Sequence, residues 1–580
     1  MRFNLPGYPF RDSLDLPNVW DFLAIPLVLS GFLLIAWGSH QMTVPYNPGE
    51  VLPISLDPAN LPAYALRTTL RMGAAMLLSL LFTFTYATLA AKSERAGMVM
   101  IPVLDVLQSV PILGFLSITV VGFISLFRGS MLGPEAAAIF AIFTSQAWNM
   151  AFSFYHSLRM IPKELYHVSN VFQLSAWQRF WKLEVPFGLP ALTWNAMMSV
   201  SGGWFFVVAS EAISVANQNI MLPGIGSYIA LAIQTMNLAA IGYAILTMFI
   251  VILLYDQLLF RPLVAWSDKF KFELSEAQEA PNSWVLTLVQ RTRVMRRLLA
   301  LPALLWVFSV RLFARLPARP IPSLKLRISR RDVRLLDRAW PMGLVAIAVG
   351  GLLYLAHFVL SSVSYGEIGW VFVLGLITAL RVLVLIVLAS LVWVPIGVWI
   401  GMRPQLSQRV QPLVLFLSAF PANLLFPLAV ILISTWHLSA EIWLSPLMIL
   451  GTQWYILFNV IAGAASIPND LREAAQNLGM RRSQLWKRLI LPGIFPAYVT
   501  GGLTASGGAW NASVVAEVVS WGSTTLTATG IGSYIAQQTQ GGDHARIALG
   551  IAVMSLYVIV INRLVWKRLY RFSQERLGLE

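Results

Sequence analysis

The feature that most restricts this chain is a succession of apolar runs, such as 22–37 with its flanks and 238–260. At about 20 residues each, such runs are long enough to cross a bilayer as helices. Membrane β-barrels carry alternating segments of about ten residues instead, and that alternation is missing. Only 12% of the 580 residues are charged, against 57% hydrophobic and a mean hydropathy of +0.70. A soluble chain carries about a quarter charged residues. The fold class expected is therefore an all-α polytopic membrane protein.

The runs predict about twelve crossings. They lie near 20–38, 65–91, 98–127, 134–158, 187–210 and 238–260, and again near 341–360, 369–400, 410–434, 441–465, 493–516 and 544–566. Residues 266–340 form a connector whose stretch 291–338 is dense in arginine, which makes it cytoplasmic by the positive-inside rule. Its apolar stretch 298–310 is short, contains Pro302 and has arginines at both ends. It reads as an interfacial helix, not a crossing. Each half then has an even number of crossings, and both termini are cytoplasmic. The first apolar run has no small-residue cleavage site after it and is expected to remain as an anchor.

Cysteine is absent, and the six histidines include no i, i+4 pair. A disulfide, a thiolate nucleophile and a clustered metal site are thereby set aside. The net charge of +15 is assigned to cytoplasmic loops touching anionic membrane lipid, not to nucleic acid.

An internal repeat organises the chain. A shift of 306 residues aligns 161–234 with 467–540 without a gap, bringing Pro186 onto Pro492, Trp204 onto Trp510 and Glu211 onto Glu517. The segment GIGSYIA occurs at both 224–230 and 530–536. Upstream, a shift of 310 pairs Arg71 with Arg381 and Pro111 with Pro421. The halves are parallel six-helix repeats. The expected divisions are 1–60 (first crossing and its loops), 61–265 (first core), 266–340 (connector), 341–368 (first helix of the second half) and 369–580 (second core and tail).

Between crossings four and five of the second half runs IPNDLREAAQNLGMRRSQLWKRLILP, residues 467–492. Asp470 is placed to cap a helix starting near Leu471, with Glu473 in its first turn. Gly479 supplies a positive φ to end that helix. Ser483 caps a second short helix carrying Trp486, and Pro492 starts the next crossing. Two short helices at about a right angle on the cytoplasmic face would make a docking knob.

The spacing Glu473-Ala474-Ala475, Gly479, Pro492 resembles the EAA loop of binding-protein-dependent ABC permeases with the type I importer fold. The GIGSYI segments and Leu70-Arg71 resemble the nitrate, sulfonate, taurine and bicarbonate branch. The resemblance covers roughly 60–265 and 370–570. It implies that the loop seats in a separate ATPase, that two such ATPase subunits carry ATP and Mg, and that this chain hydrolyses nothing and binds no cofactor. It also implies a periplasmic substrate-binding protein as partner and the bacterial inner membrane as location. The first-half loop departs from the pattern: Glu164 is displaced from it, His167-Val168-Ser169 stand for Glu-Ala-Ala, and Gln173 stands for glycine. Trp177 and Pro186 persist. Gln173 is expected to avoid positive φ, so the two loops are expected to couple unequally.

Candidates for the substrate pathway are Arg71, Arg381, Glu211 and Glu517, near the periplasmic ends of their crossings, with Trp204, Trp510 and Asn511 on the fifth crossings. Either the arginines attract an anion, or they pair with the glutamates and lipid phosphates and fix helix positions. No GxxxxGK[ST] loop occurs. An ion-coupled secondary transporter with duplicated halves is the alternative.

Overall fold

A computed structural model describes residues 18–45, 53–215, 218–270, 283–292 and 330–577. The stretch 298–310 and most of the basic connector lie outside the described residues. Six helices among those described are long and apolar enough to cross a membrane alone, and two bent pairs raise the number to eight. The other expected crossings are helical too, but are more polar or are interrupted. The chain is an all-α polytopic membrane protein of about twelve helices.

The first half runs through Val19–Gln41, Leu61–Lys92, a third crossing split into Glu94–Ser109 and Ile112–Leu126, then Leu132–Arg159, Val185–Glu211 and Leu238–Tyr255. The second half follows with Arg330–Leu360, Tyr365–Gly401, Pro404–Ala419 with Phe426–Thr435, the bent fourth crossing ending in Gln453–Ala465, then Leu491–Ala516 and His544–Ile561. Local chemistry sets several of these ends. Asn18 and Asp21 close a capping box at the start of the first helix, with bonds of 2.9 and 3.0 Å. Proline disfavours helical backbone in the residue before it. Accordingly Pro111 and Pro421 stand where the third crossings break, and the second-half pair bends by 74° there.

The break lets each half enter the other. One core holds mainly second-half residues but includes Ile112 and Val120. The other holds first-half residues but includes Ala419 and Leu424. Residues of each third crossing thus pack into the other half's core. The residues that cross over are not repeat equivalents: Ala422, which the shift relates to Ile112, stays in the second-half core. The halves meet through their third crossings.

After each fifth crossing the chain makes a small antiparallel hairpin that the sequence did not suggest. β1 (Ala212–Val215) pairs with β2 (Gln218–Met221), and β3 (Val518–Trp521) pairs with β4 (Thr524–Thr527). Each leads into a short helix, Ile225–Gln234 or Ile531–Gly541. Near the connector, Asn18 Nδ2 donates to the Arg291 carbonyl at 2.7 Å, and the Arg291 guanidinium lies 5.3 Å from the Trp20 ring. The amphipathic helix Trp284–Arg291 is thus tied to the start of the first crossing.

Candidate functional site

The two loops expected to dock an ATPase form closely similar structures. Helix Lys163–Val171 in the first half corresponds to Asn469–Asn477 in the second. Each ends in a Schellman turn, in which two N–H groups beyond the helix reach back to its last carbonyls. Leu174 and Gln173 donate to Ser169 and Asn170 at 3.0 and 2.9 Å; Met480 and Gly479 donate to Ala475 and Gln476 at 3.1 and 2.9 Å. The pivots have φ of +48° at Gln173 and +60° at Gly479. This corrects the expectation that Gln173 avoids positive φ. The hydrogen bonds of the helix end dictate the turn, and glutamine is held in it.

The caps differ too. Pro468, not Asp470, precedes the second-half helix, and Asp470 sits in its first turn. The next segment starts after Arg481, not at a Ser483 cap. It is not a separate short helix: Arg482–Leu485 passes through a π-helical stretch, Trp486–Ile490, directly into Leu491–Ala516, near whose start Pro492 lies. The first half repeats this with Ala176–Arg179, Phe180–Glu184 and Val185–Glu211, with Trp177 and Pro186 at the matching places. There Ser175 Oγ accepts from the Gln178 N–H at 3.2 Å, and Gln178 Oε1 accepts from the Ser175 N–H at 3.1 Å. In the second half only the bond from the Arg481 N–H to Gln484 forms, because an arginine side chain cannot accept.

Glu164, Glu473 and Ala474 are exposed, whereas Ala475 and its counterpart Ser169 are buried. Large apolar side chains stand free at the tips, with Val171 79%, Phe172 72% and Leu478 77% exposed. Exposed apolar tips rimmed by polar residues mark contact surfaces.

At the opposite ends of the crossings lie two charged clusters. Arg71 is fully buried and reaches Glu135 twice, at 2.6 Å through Nε and 2.7 Å through Nη2, while Nη1 meets Glu211 at 2.7 Å. Glu211 also accepts from Thr68 Oγ1 at 2.7 Å and from the Gly226 N–H at 2.6 Å. This explains the repeated Gly-Ile-Gly. A side chain at Gly226 would run into the Val208 carbonyl, and one at Gly224 into the Glu211 carboxylate. The glycines admit the carboxylate to the start of helix Ile225–Gln234, where backbone N–H groups favour negative charge.

In the second cluster Arg381 pairs with Glu441, donates to the Thr529 carbonyl at 2.7 Å, and lies 3.5 Å from Glu517. Glu517 accepts from Thr378 at 2.8 Å and from the Ser533 N–H at 3.0 Å. Sequence reasoning missed Glu135 and Glu441, although the same 306-residue shift relates them. The clusters differ in sealing: Glu135 has no exposure, whereas the Glu441 side chain is 47% exposed.

The remaining candidates lie along the fifth crossings. Trp204 and Trp510 are almost wholly buried, and Trp204 stands edge-on to Tyr255 at 5.4 Å. Asn511 bridges the halves: its Oδ1 accepts from the Ile112 N–H at 2.8 Å, and its Nδ2 donates to the Gly507 carbonyl at 3.1 Å. Two cavities touch this seam. A small one of about 80 Å³ is lined by Ser201, Gly202, Tyr455 and Gly508 among others, so repeat-equivalent glycines face it from both halves. A larger one of about 970 Å³ lies between crossings five and six of the first half and three and four of the second, with Trp204 on its wall. Arg71 and Arg381 line neither.

Comparison with known proteins finds the family described as "Binding-protein-dependent transport system inner membrane component" matching residues 79–261 and again 393–577, together more than half of the chain. The bicarbonate transport system permease protein CmpB of Synechococcus elongatus is 26% identical over 178 residues, 31% of this chain and 61% of that protein. The nitrate import permease protein NrtB of Leptolyngbya laminosa is 25% identical over 185 residues, 32% and 63% of the two chains. The taurine transport system permease protein TauC of Escherichia coli is 25% identical over 182 residues, 31% and 62% of the two. The chain covers less than two thirds of the length of each of these relatives.

Proposed function

This chain belongs to the family of binding-protein-dependent transport system inner membrane components, and from that premise we propose that it is the complete translocation unit of an ABC importer for a small anion. It is a multi-pass inner-membrane protein of a transport system, and its two cores, 61–265 and 369–580, act as the two permeases of one complex. ATP and Mg are carried by two separate ATPase subunits, and a periplasmic binding protein delivers the substrate. Both termini lie in the cytoplasm.

The observation that carries this reading is the duplicated loop. Two helices with matching Schellman turns, Lys163–Val171 and Asn469–Asn477, bring exposed apolar tips to the end of the bundle opposite the charged clusters. Each continues through a π-helical stretch into a fifth crossing, so a push on the loop acts on a helix at the seam. The substrate route follows the seam, where Gly202 and Gly508 allow close helix approach. In this reading Arg71 and Arg381, already held by glutamates, brace the outer end of that route together with Glu211 and Glu517. Trp204, Trp510 and Asn511 set its walls. A substrate of the bicarbonate, nitrate or taurine kind follows from what the relatives carry.

The test is reconstitution of the full chain with its ATPase subunits and binding protein in proteoliposomes. ATP hydrolysis should rise with one of bicarbonate, nitrate or taurine, and Glu473→Lys should abolish that response. Uptake that proceeds without any ATPase, driven by an ion gradient, would overturn the proposal.

A further inference from the structure

The larger cavity has a different character from the seam. A route shared by duplicated halves would be lined by repeat-equivalent residues. The equivalents of Trp194, Phe249 and Tyr255 are Thr500, Ser555 and Ile561, and none of them lines this cavity. It therefore lies to one side of the axis relating the halves. Three of its polar residues also lack counterparts of like chemistry, whereas Arg261 corresponds to Lys567. Arg472 stands where the first half has Tyr166, Gln411 where it has Ile101, and Ser407 where it has Gly97. Duplication of a scaffold does not account for residues that appear once and converge.

Two arginines reach the cavity wall. Arg472 donates from Nη2 to the Ala464 carbonyl at 2.6 Å, while its Nε is buried with no hydrogen-bond partner. Arg261 gives its Nε to Asp256 at 3.0 Å. Asp256 is the one acidic residue on the described wall, so the wall carries a net positive charge. Much of the rest is apolar. Trp194 lies 5.5 Å from Phe458 and Phe249 lies 4.7 Å from Phe416, both pairs joining the halves. Trp194, Phe249, Leu253 and Leu413 are 42–56% exposed, so that side of the cavity faces hydrocarbon.

We propose that this cavity binds one anionic phospholipid of the cytoplasmic leaflet, its phosphate against Arg472 and Arg261 and an acyl chain among Trp194, Phe249, Phe416 and Phe458. A buried donor without an acceptor is costly, and a phosphate oxygen satisfies it with a charge-assisted bond. Basic pockets between crossings on the cytoplasmic side suit anionic headgroups. The volume is at the upper end of the roughly 300–1,000 Å³ of small-molecule pockets, which suits an amphiphile better than a small anion. The leaflet rests on the orientation proposed above; the binding itself does not. Because Arg472 belongs to helix Asn469–Asn477, the lipid would tie the docking loop to the membrane.

The full chain, purified and exchanged into nanodiscs of phosphatidylcholine with a minority of phosphatidylglycerol, is released for native mass spectrometry to count retained lipids. Wild type should keep one phosphatidylglycerol. Retention should fall about fivefold in Arg472→Gln and about thirtyfold in the double variant with Arg261→Gln, at the usual worth of an arginine near an anionic surface. Arg472→Lys should recover part of it. Ala419→Phe, which narrows the apolar part and leaves both arginines, should also lose the lipid. In pure phosphatidylcholine, inorganic phosphate should not raise the unfolding temperature. An arginine-dependent rise with phosphate alone would show a free-anion site instead. Equal phosphatidylglycerol retention in wild type and the double variant would equally overturn the proposal.

Discussion

Gln173 and Gly479 occupy the same left-handed backbone position, at φ +48° and +60°, in Schellman turns related by the internal repeat. The hydrogen bonds around the two are alike, so the residue type alone separates them. Glutamine in this region costs about 1–2 kcal/mol that glycine does not. Gln173→Gly should therefore raise stability by about 1 kcal/mol, and valine at either position should cost roughly 1–3 kcal/mol. Thermal unfolding of the detergent-solubilised chain, run beside uptake, measures both. Damage confined to Gly479→Val would show that the first-half turn opens readily into another conformation.

The two loops distribute their weaknesses differently. The first has the poorer turn residue but a full capping box, Ser175 with Gln178; the second has the better turn residue but half a box, Arg481 with Gln484. Ser175→Ala should cost about 1 kcal/mol, and Arg481→Ser, which supplies the missing acceptor, should gain a comparable amount. Unfolding midpoints that do not move in opposite directions would count against this account.

The legible parts of this architecture are those set by local pattern. Apolar runs placed the crossings, and the repeat placed Arg71 with Arg381 and Glu211 with Glu517. What escaped depends on distant contacts. Glu135 and Glu441 obey the same shift, but they stand at helix starts where neighbouring residues have diverged, and only the fold brings them to the arginines. Pro111 and Pro421 were visible as a pair, yet the 74° bend at Pro421 takes its meaning from the other half, into which the chain turns. The hairpins are four residues per strand and lie against helix ends, which leaves no periodic signal to read. Gln173 is a different case, in which the local backbone hydrogen bonds of a helix end override residue preference.

Asn511 supplies a bond between the halves that the repeat does not duplicate, since Phe205 stands at the equivalent place. Asn511→Ala would leave the Ile112 N–H without its acceptor, at a cost of roughly 1–3 kcal/mol. Asn511→Asp keeps an acceptor at the start of helix Ile112–Leu126 and should recover much of the loss. Limited proteolysis followed on both halves reports whether the seam has loosened. Equal protease sensitivity in the alanine and aspartate variants would remove this bond from the account.

The two charged clusters offer the sharpest contrast. Removing the Arg71 guanidinium leaves Glu135 and Glu211 facing each other with no exposure. Breaking a buried pair in this way costs about 3–5 kcal/mol, so Arg71→Gln should greatly reduce the monodisperse fraction on size-exclusion chromatography. Arg381→Gln should cost distinctly less, because Glu441 is half exposed and water can take over its solvation. Replacing all three first-half charges (Arg71→Met, Glu135→Gln, Glu211→Gln) leaves no uncompensated charge and should restore much of the lost fraction. That triple variant also separates structure from transport. If Arg71 only braces helices, the restored protein should take up substrate with unchanged apparent affinity. A well-folded triple variant with strongly weakened affinity would make Arg71 part of the anion's path and would overturn the bracing role.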